Sequence, residues 1–240
     1  EVDATEYVLR YGTAASSEEL LKSLRRAFNP KHLRVRWNNV QEDVDRYYAP
    51  HHPYWRKRGI SRRTAARFHL GFDHKRNHAI IPIYHEGHAV AITRRNLNPI
   101  GPRYKDAIGF QKDKVLFGLD QCRKGGGLYI CEGPVDALKV HEAGYNGVAV
   151  MSDNFSTTQA RLVMDFGPRF IVLMTDEDFG GEILATKIWE TYPLRNIYFV
   201  KLPKGRKDPG ACDVDELWEA IALKRHVLSL DLQGLRPSSA

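Results

Sequence analysis

The sequence predicts an α/β protein in which a parallel sheet, covered on both faces by helices, follows a smaller and strongly basic α+β region. Three observations carry that reading. Between residues 126 and 224, short strands that are apolar on both faces alternate with helical segments, the pattern of a parallel sheet buried on both sides. Residues 51–125 hold sixteen Lys and Arg against five Asp and Glu, a net +11 in a chain whose total is +7. The remainder is therefore net acidic at −4, so a region suited to a polyanion adjoins one suited to acidic chemistry.

The elements follow in order. Residues 1–45 read as a helical N-terminal extension. Ser16-Ser17 before Glu18-Glu19 makes an N-cap with acids in the first turn, Leu20, Leu21, Leu24 and Phe28 share one face, and Asn29-Pro30 ends it. Residues 46–125 form the basic α+β subdomain. Ser61 caps a helix over 62–69 that Gly71 ends, and strands 79–84 and 89–93 join through a turn at Glu86-Gly87.

The Gly triplet 125–127 introduces strand 128–131, and Pro134 suits the first position of a helix over 135–142 that ends at Gly144. Then come strand 147–151, helix 156–165, strand 170–174, helix 182–191, strand 197–202 and a last helix over 214–224. Residues 225–240 are expected to fray. Right-handed crossovers bring the carboxyl ends of the parallel strands to one edge.

Composition narrows the class. A hydrophobic content of 42% fills a core, and no apolar run approaches the ~20 residues needed to span a bilayer. The chain begins Glu-Val-Asp, without the basic-then-apolar pattern of a signal peptide. The expectation is a cytoplasmic chain with no membrane contact, either whole or a piece of a longer one. Three cysteines without Cys-x-x-Cys spacing give neither a disulfide scaffold nor a zinc site.

Chemistry concentrates at the strand ends, where ligands sit in an open parallel sheet. The first strand runs into Glu132, the third into Asp176-Glu177-Asp178, and the fourth leads to a loop bearing Asp208. Clustered carboxylates repel unless a cation neutralises them, and Mg²⁺ or Mn²⁺ with oxygen ligands does so while leaving positions open for phosphate. In an extended segment Asp176 and Asp178 point the same way and Glu177 points away. Each acid alone reads equally as a helix cap or loop residue, and Asp136 as a first-turn helix acid. Their convergence from three segments is the signal.

At these residues the chain resembles a known family. Glu132-Gly-Pro-Val-Asp136, Asp176-Glu-Asp-Phe-Gly-Gly181 and Lys204-Gly-Arg-Lys-Asp-Pro209 are similar to the Toprim domain of primases, topoisomerases and some nucleases. The preceding segment selects among them. Arg58-Gly-Ile-Ser61, Arg67-Phe-His-Leu-Gly-Phe72, Pro102-Arg-Tyr-Lys105 and Phe110-Gln-Lys-Asp-Lys-Val-Leu-Phe-Gly118 resemble DnaG-type primases of bacteria and phages.

The resemblance implies a Rossmann-like four-stranded parallel sheet and a Toprim catalytic domain over 126–224. It implies a metal at Glu132, Asp176 and Asp178 with help from Asp208. Arg67, Arg95, Arg103 and Lys112 are then expected on template or nucleotide phosphates, with Lys207 beside them. The implied activity is primer synthesis from ribonucleoside triphosphates on single-stranded DNA, alongside a replicative helicase. A Toprim nuclease and a non-catalytic nucleic-acid-binding subunit are the alternatives. The family's last motif reads Asp-Pro-Asp, whereas this chain has Asp208-Pro-Gly; either Asp213 or Asp215 supplies the second acid, or it is missing.

Overall fold

The structure is a computed structural model that describes residues 39–152, 154–175, 187, 188, 191 and 196–226, all within one compact unit. The helices expected over 16–28 and 182–191 fall wholly or mostly outside the described residues.

The first half builds an antiparallel sheet. Helices α1 (Gln41–Tyr47), α2 (Pro53–Lys57) and α3 (Arg62–Arg67) surround strands β1 (Gly71–Asp73), β2 (His78–His85), β3 (His88–Asn96) and β4 (Tyr104–Lys105), in the order β1-β2-β3-β4. Glu86 and Gly87, at φ 51° and 79°, make the tight turn expected between β2 and β3. The two faces of β2 are both covered. Ile80 meets Val44 of α1, while Ala79, Ile81 and Ile83 face a core shared with Trp55 and Phe68. Pro82 is tolerated in this central strand because β1 pairs only as far as Ile80.

Ser61 caps α3 as expected, accepting from Thr64 N at 3.2 Å. Gly71 does not end that helix. The chain leaves α3 through His69 in a left-handed conformation, and Gly71 begins β1, where a Cβ would stand 2.3 Å from the Tyr47 carbonyl oxygen. Close backbone approach, not helix termination, explains this glycine.

The second half is the parallel sheet. Strands β5 (Leu128–Cys131), β6 (Gly147–Ala149), β7 (Ile171–Met174) and β8 (Ile197–Phe199) lie in the order β6-β5-β7-β8. Helices α4 (Pro134–Glu142), α5 (Thr157–Phe166) and α6 (Val214–Ala222) accompany them. Pro134 occupies the start of α4 as expected. A short strand β9 (Arg225–His226) adds antiparallel to β8, so the start of the expected fraying tail is instead paired with Tyr198 and Phe199.

The strand order reverses direction at β5, with β6 on one side and β7 on the other. That switch point opens a crevice at the carboxyl ends of β5 and β7, where Glu132 and Thr175 follow in register.

Two features weld the halves together. Phe117 and Ala149 exchange both backbone hydrogen bonds at 3.0 Å, attaching the segment before β5 to the edge of β6. One core contains Trp55, Phe68, Ile81 and Phe117 from the first half with Leu138 and Ala149 from the second.

Candidate active site

An open cleft of about 350 Å³ lies where the two sheets meet. Its acidic wall comes from the parallel sheet. Glu132 follows β5, Asp136 sits in the first turn of α4, and Asp208 comes from the loop after β8. Its basic wall comes from the antiparallel sheet and the turn behind it, as Arg95, Arg103 and Lys112.

Backbone geometry fixes the acidic wall. Glu132 carbonyl accepts from Met151 N at 2.9 Å, and Met151 turns the chain in a left-handed conformation, φ 60°. Such a φ is costly for a side-chain-bearing residue and holds the end of β6 against the end of β5. Asp136 is buried and does more than begin a helix. Its Oδ2 accepts from Gly133 N at 3.0 Å, and its Oδ1 accepts from Gly210 N at 2.9 Å. One carboxylate thus clips the turn after Glu132 to the loop carrying Asp208.

Both clip partners are glycines for the same reason. A Cβ on Gly133 would stand 2.7 Å from Asp136 Oδ2, and one on Gly210 2.5 Å from Asp136 Oδ1. Burial, reinforced by the Asp208 carboxylate, pushes the Asp136 carboxyl up to about 7, against the pull of the two backbone N–H groups.

The basic wall is equally ordered. Arg95 is buried and donates through Nη1 to the Tyr104 hydroxyl. The Arg95 and Arg103 guanidinium carbons lie 5.2 and 5.8 Å from the Tyr104 ring centre, so one aromatic ring supports two cations. Lys112 Nζ lies 3.5 Å from Asp106 Oδ2, whose other oxygen accepts from Thr93 Oγ1 at 2.8 Å. Behind Lys112, buried Gln159 of α5 donates through Nε2 to the carbonyls of Lys112 (3.1 Å), Val115 (3.0 Å) and Val150 (3.0 Å). This amide ties the basic turn to the parallel sheet.

Of the residues singled out from the sequence, Glu132, Asp136, Asp208, Arg95, Arg103 and Lys112 line this one cleft. Asp176 and Asp178 lie outside the described residues. Arg67 is not in the cleft lining; its guanidinium donates to the Gln121 carbonyl. Lys207 is exposed on the loop before Asp208 and is also outside the lining.

Asp213 is the N-cap of α6, its Oδ1 accepting from Glu216 N at 2.9 Å, and Asp215 is exposed in the next turn. Neither lines the cleft, and position 210, two residues after Asp208, is held without a side chain by the Asp136 clip. Thr93, Asp106 and Gln159 are not marked as site residues in the sequence, where Tyr104 stands only within the Pro102-Arg-Tyr-Lys105 motif. Of the three, Gln159 alone carries a local signal, the Ser156-x-x-Gln159 capping box.

The donor set suits a hard divalent cation, because Glu132 and Asp208 offer carboxylate oxygens to the cleft. Among the described residues no group of three His, Cys, Asp or Glu side chains stands close enough to hold a metal by itself.

A parallel sheet with acids at its switch point, facing a basic antiparallel sheet, is an arrangement suited to a phosphate-bearing ligand. Residues 129–212 match the Toprim-like family. The chain as a whole is similar to DnaG-type primases. It is 33% identical over 119 residues to a DNA primase of Deinococcus radiodurans, covering 46% of this chain and 21% of that protein.

The fold matches the DnaG primase catalytic domain bound to ssDNA with a TM-score of 0.64 at 19% identity, over 93% of this chain and 84% of the other. It matches the primase fragment of the bacteriophage T7 primase-helicase protein with a TM-score of 0.59 at 21% identity, over 69% and 72%. The chain spans about a fifth to a quarter of the length of the curated relatives it matches. No helix among the described residues is long and apolar enough to cross a membrane.

Proposed function

We propose that this chain is the RNA polymerase core of a primase, synthesising short RNA primers on a single-stranded DNA template from ribonucleoside triphosphates. The observation that carries this reading is the meeting, in one cleft, of strand-end acids Glu132 and Asp208 with Arg95, Arg103 and Lys112 from a separate sheet. Residues 46–125 hold template and triphosphate, and residues 126–224 supply the acids.

Glu132, Asp176 and Asp178, helped by Asp208, would hold Mg²⁺ or Mn²⁺. When bound, such an ion lowers the pKa of an attacking hydroxyl and neutralises developing charge on the phosphorus oxygens. The chain's own residues do the rest. Arg103 and Lys112 neutralise triphosphate charge, and Arg95, braced by Tyr104, fixes the phosphates in register. Asp136 is a positioning residue that keeps Glu132 and the Asp208 loop at a set spacing. By analogy with the bacteriophage T7 primase-helicase protein, a replicative helicase is the partner, and the site of action is the cytoplasm of a bacterial or phage-infected cell.

The test is primer synthesis on single-stranded DNA with ribonucleotides and Mg²⁺ or Mn²⁺. The expected result is product from the parent chain and a loss of about 100-fold or more in Glu132→Ala and Asp176→Ala. Full activity in either variant overturns the metal assignment. Cleavage of nucleic acid without added triphosphates assigns the site to a nuclease instead. Salt-sensitive binding with neither reaction assigns it to an accessory subunit.

A further inference from the structure

The antiparallel-sheet wall of the cleft holds one residue that works against the rest. Among its described lining residues Arg95, Arg103 and Lys112 carry positive charge, and Asp106 alone carries negative charge. An acid there weakens the wall's attraction for phosphate, so phosphate binding does not account for it.

Strand register sets its place. β3 and β4 pair antiparallel, with Arg95 opposite Tyr104 and Arg94 opposite Lys105. The same register continued puts Thr93 opposite Asp106, and Thr93 Oγ1 donates to Asp106 Oδ1 at 2.8 Å. Side chains alternate along a strand, so Thr93 with Asp106 and Arg95 with Tyr104 share the face toward the cleft, while Arg94 and Lys105 between them lie outside its lining. The wall therefore has two rungs, one cationic and one acidic, about 7 Å apart along the strands. That is the order of the separation between the α-phosphate of a nucleotide and the hydroxyls of its sugar.

The acid keeps accepting capacity in reserve. Thr93 is buried and has given its one hydroxyl proton to Oδ1, and Oδ2 has Lys112 Nζ beside it at 3.5 Å. The Asp106 side chain is 32% exposed, and no other described residue hydrogen-bonds or ion-pairs with it. A carboxylate accepts and cannot donate, so its open lone pairs suit a hydroxyl. A ribonucleotide brings phosphates to the first rung and a hydroxyl to the second. A DNA strand has no 2′-hydroxyl to offer.

We propose that Asp106, oriented by Thr93, accepts a hydrogen bond from the 2′-hydroxyl of the incoming ribonucleoside triphosphate and so selects ribose over deoxyribose. This deepens the reading of the chain as a primer-synthesising polymerase and rests on it. Asp106 determines specificity, and Thr93 is a positioning residue. A deoxyribonucleotide leaves the carboxylate facing a methylene, shielded from water with no donor in return, and that loss does the discriminating.

The test extends a short RNA primer on single-stranded DNA with the whole chain. It compares kcat/KM for ATP, its 2′-deoxy form and its 2′-fluoro form, which keeps a substituent but cannot donate. The parent prefers ATP over both analogues by about 10- to 100-fold. The ATP-to-dATP ratio falls towards one in Asp106→Ala, and falls less in Asp106→Asn, whose amide oxygen still accepts. It falls also in Thr93→Val, which keeps the shape but not the proton. The ratio is the readout, because loss of the Asp106–Lys112 pair alone lowers both rates together.

An unchanged ratio in Asp106→Ala overturns the proposal. So does a parent that uses the 2′-fluoro form as well as ATP, a measurement that needs no variant. If the parent makes no product, displacement of a fluorescent nucleotide by ATP and by dATP separates the two readings. Discrimination in binding that Asp106→Ala abolishes leaves the sugar contact standing and removes the polymerase; no discrimination in the parent removes both.

Discussion

Single side chains decide how well the cleft is held, and Asp136 is the clearest case. Its two oxygens serve two glycine amides in segments 77 residues apart in sequence, Gly133 and Gly210. Gly210→Ala forces a methyl group to within 2.5 Å of Asp136 Oδ1 unless the clip opens. The expected outcome is a loss of roughly 1–3 kcal/mol in urea unfolding, with primer synthesis falling about tenfold or more as the Asp208 loop shifts.

A second residue sets a pH limit. Burial and the nearby Arg67 charge push the His141 imidazole down to about 4, and its Nε2 donates to the Gly147 carbonyl at 2.8 Å. The folded state favours the neutral ring, so its contribution is complete above about pH 6.5 and is lost as pH falls from there towards 4. Over that window unfolding free energy drops by about 3 kcal/mol from this group, and His141→Gln flattens the dependence. Urea titrations at several pH values check it.

At the scale of elements, the helices and strands were largely legible, because each is marked by local chemistry. Ser61 and Ser156 sit before α3 and α5 as caps, Pro134 begins α4, and Glu86-Gly87 turns the hairpin. What stayed hidden depends on distant partners. Gly71 reads as a helix stop in sequence but is dictated by the Tyr47 carbonyl, and β9 exists only because β8 offers it an edge. The site divides the same way. Strand-end acids announce themselves by position, whereas Tyr104 and Gln159 acquire their roles from residues they meet only after folding. Gln159 gives the test at this scale. Gln159→Leu leaves the buried Val115 and Val150 carbonyls without this donor and loosens α5 from the Lys112 turn, so a loss of about 2–4 kcal/mol and weakened triphosphate binding are expected. Gln159→Glu, which keeps the shape but not the donor, behaves like the leucine variant in both measurements.

For the molecule as a whole, the consequence is mechanical unity. The acidic and basic walls belong to different sheets, yet a shared core runs through Phe68, Phe117 and Leu138, and the Phe117–Ala149 bridge adds a backbone seam. Phe117→Ala is expected to cost about 3–5 kcal/mol. Both sheets then melt together at lower denaturant, with fluorescence and circular dichroism giving coincident transitions. Separate transitions would mean that the sheets are independent and that the cleft is a hinge.

The β2–β3 hairpin bears on how the chain comes into being. Its strands are neighbours in sequence and close over two residues, so little loop entropy opposes their pairing. The central strand β5 meets β7 only after some forty further residues have been made. During synthesis the antiparallel ladder can therefore zip while the ribosome is still delivering its counterpart, leaving Ile81 and Ile83 briefly bare and waiting for Phe117 and Leu138. Slowing translation after residue 105 should prolong that exposed interval and raise the share of newborn chains captured by chaperones.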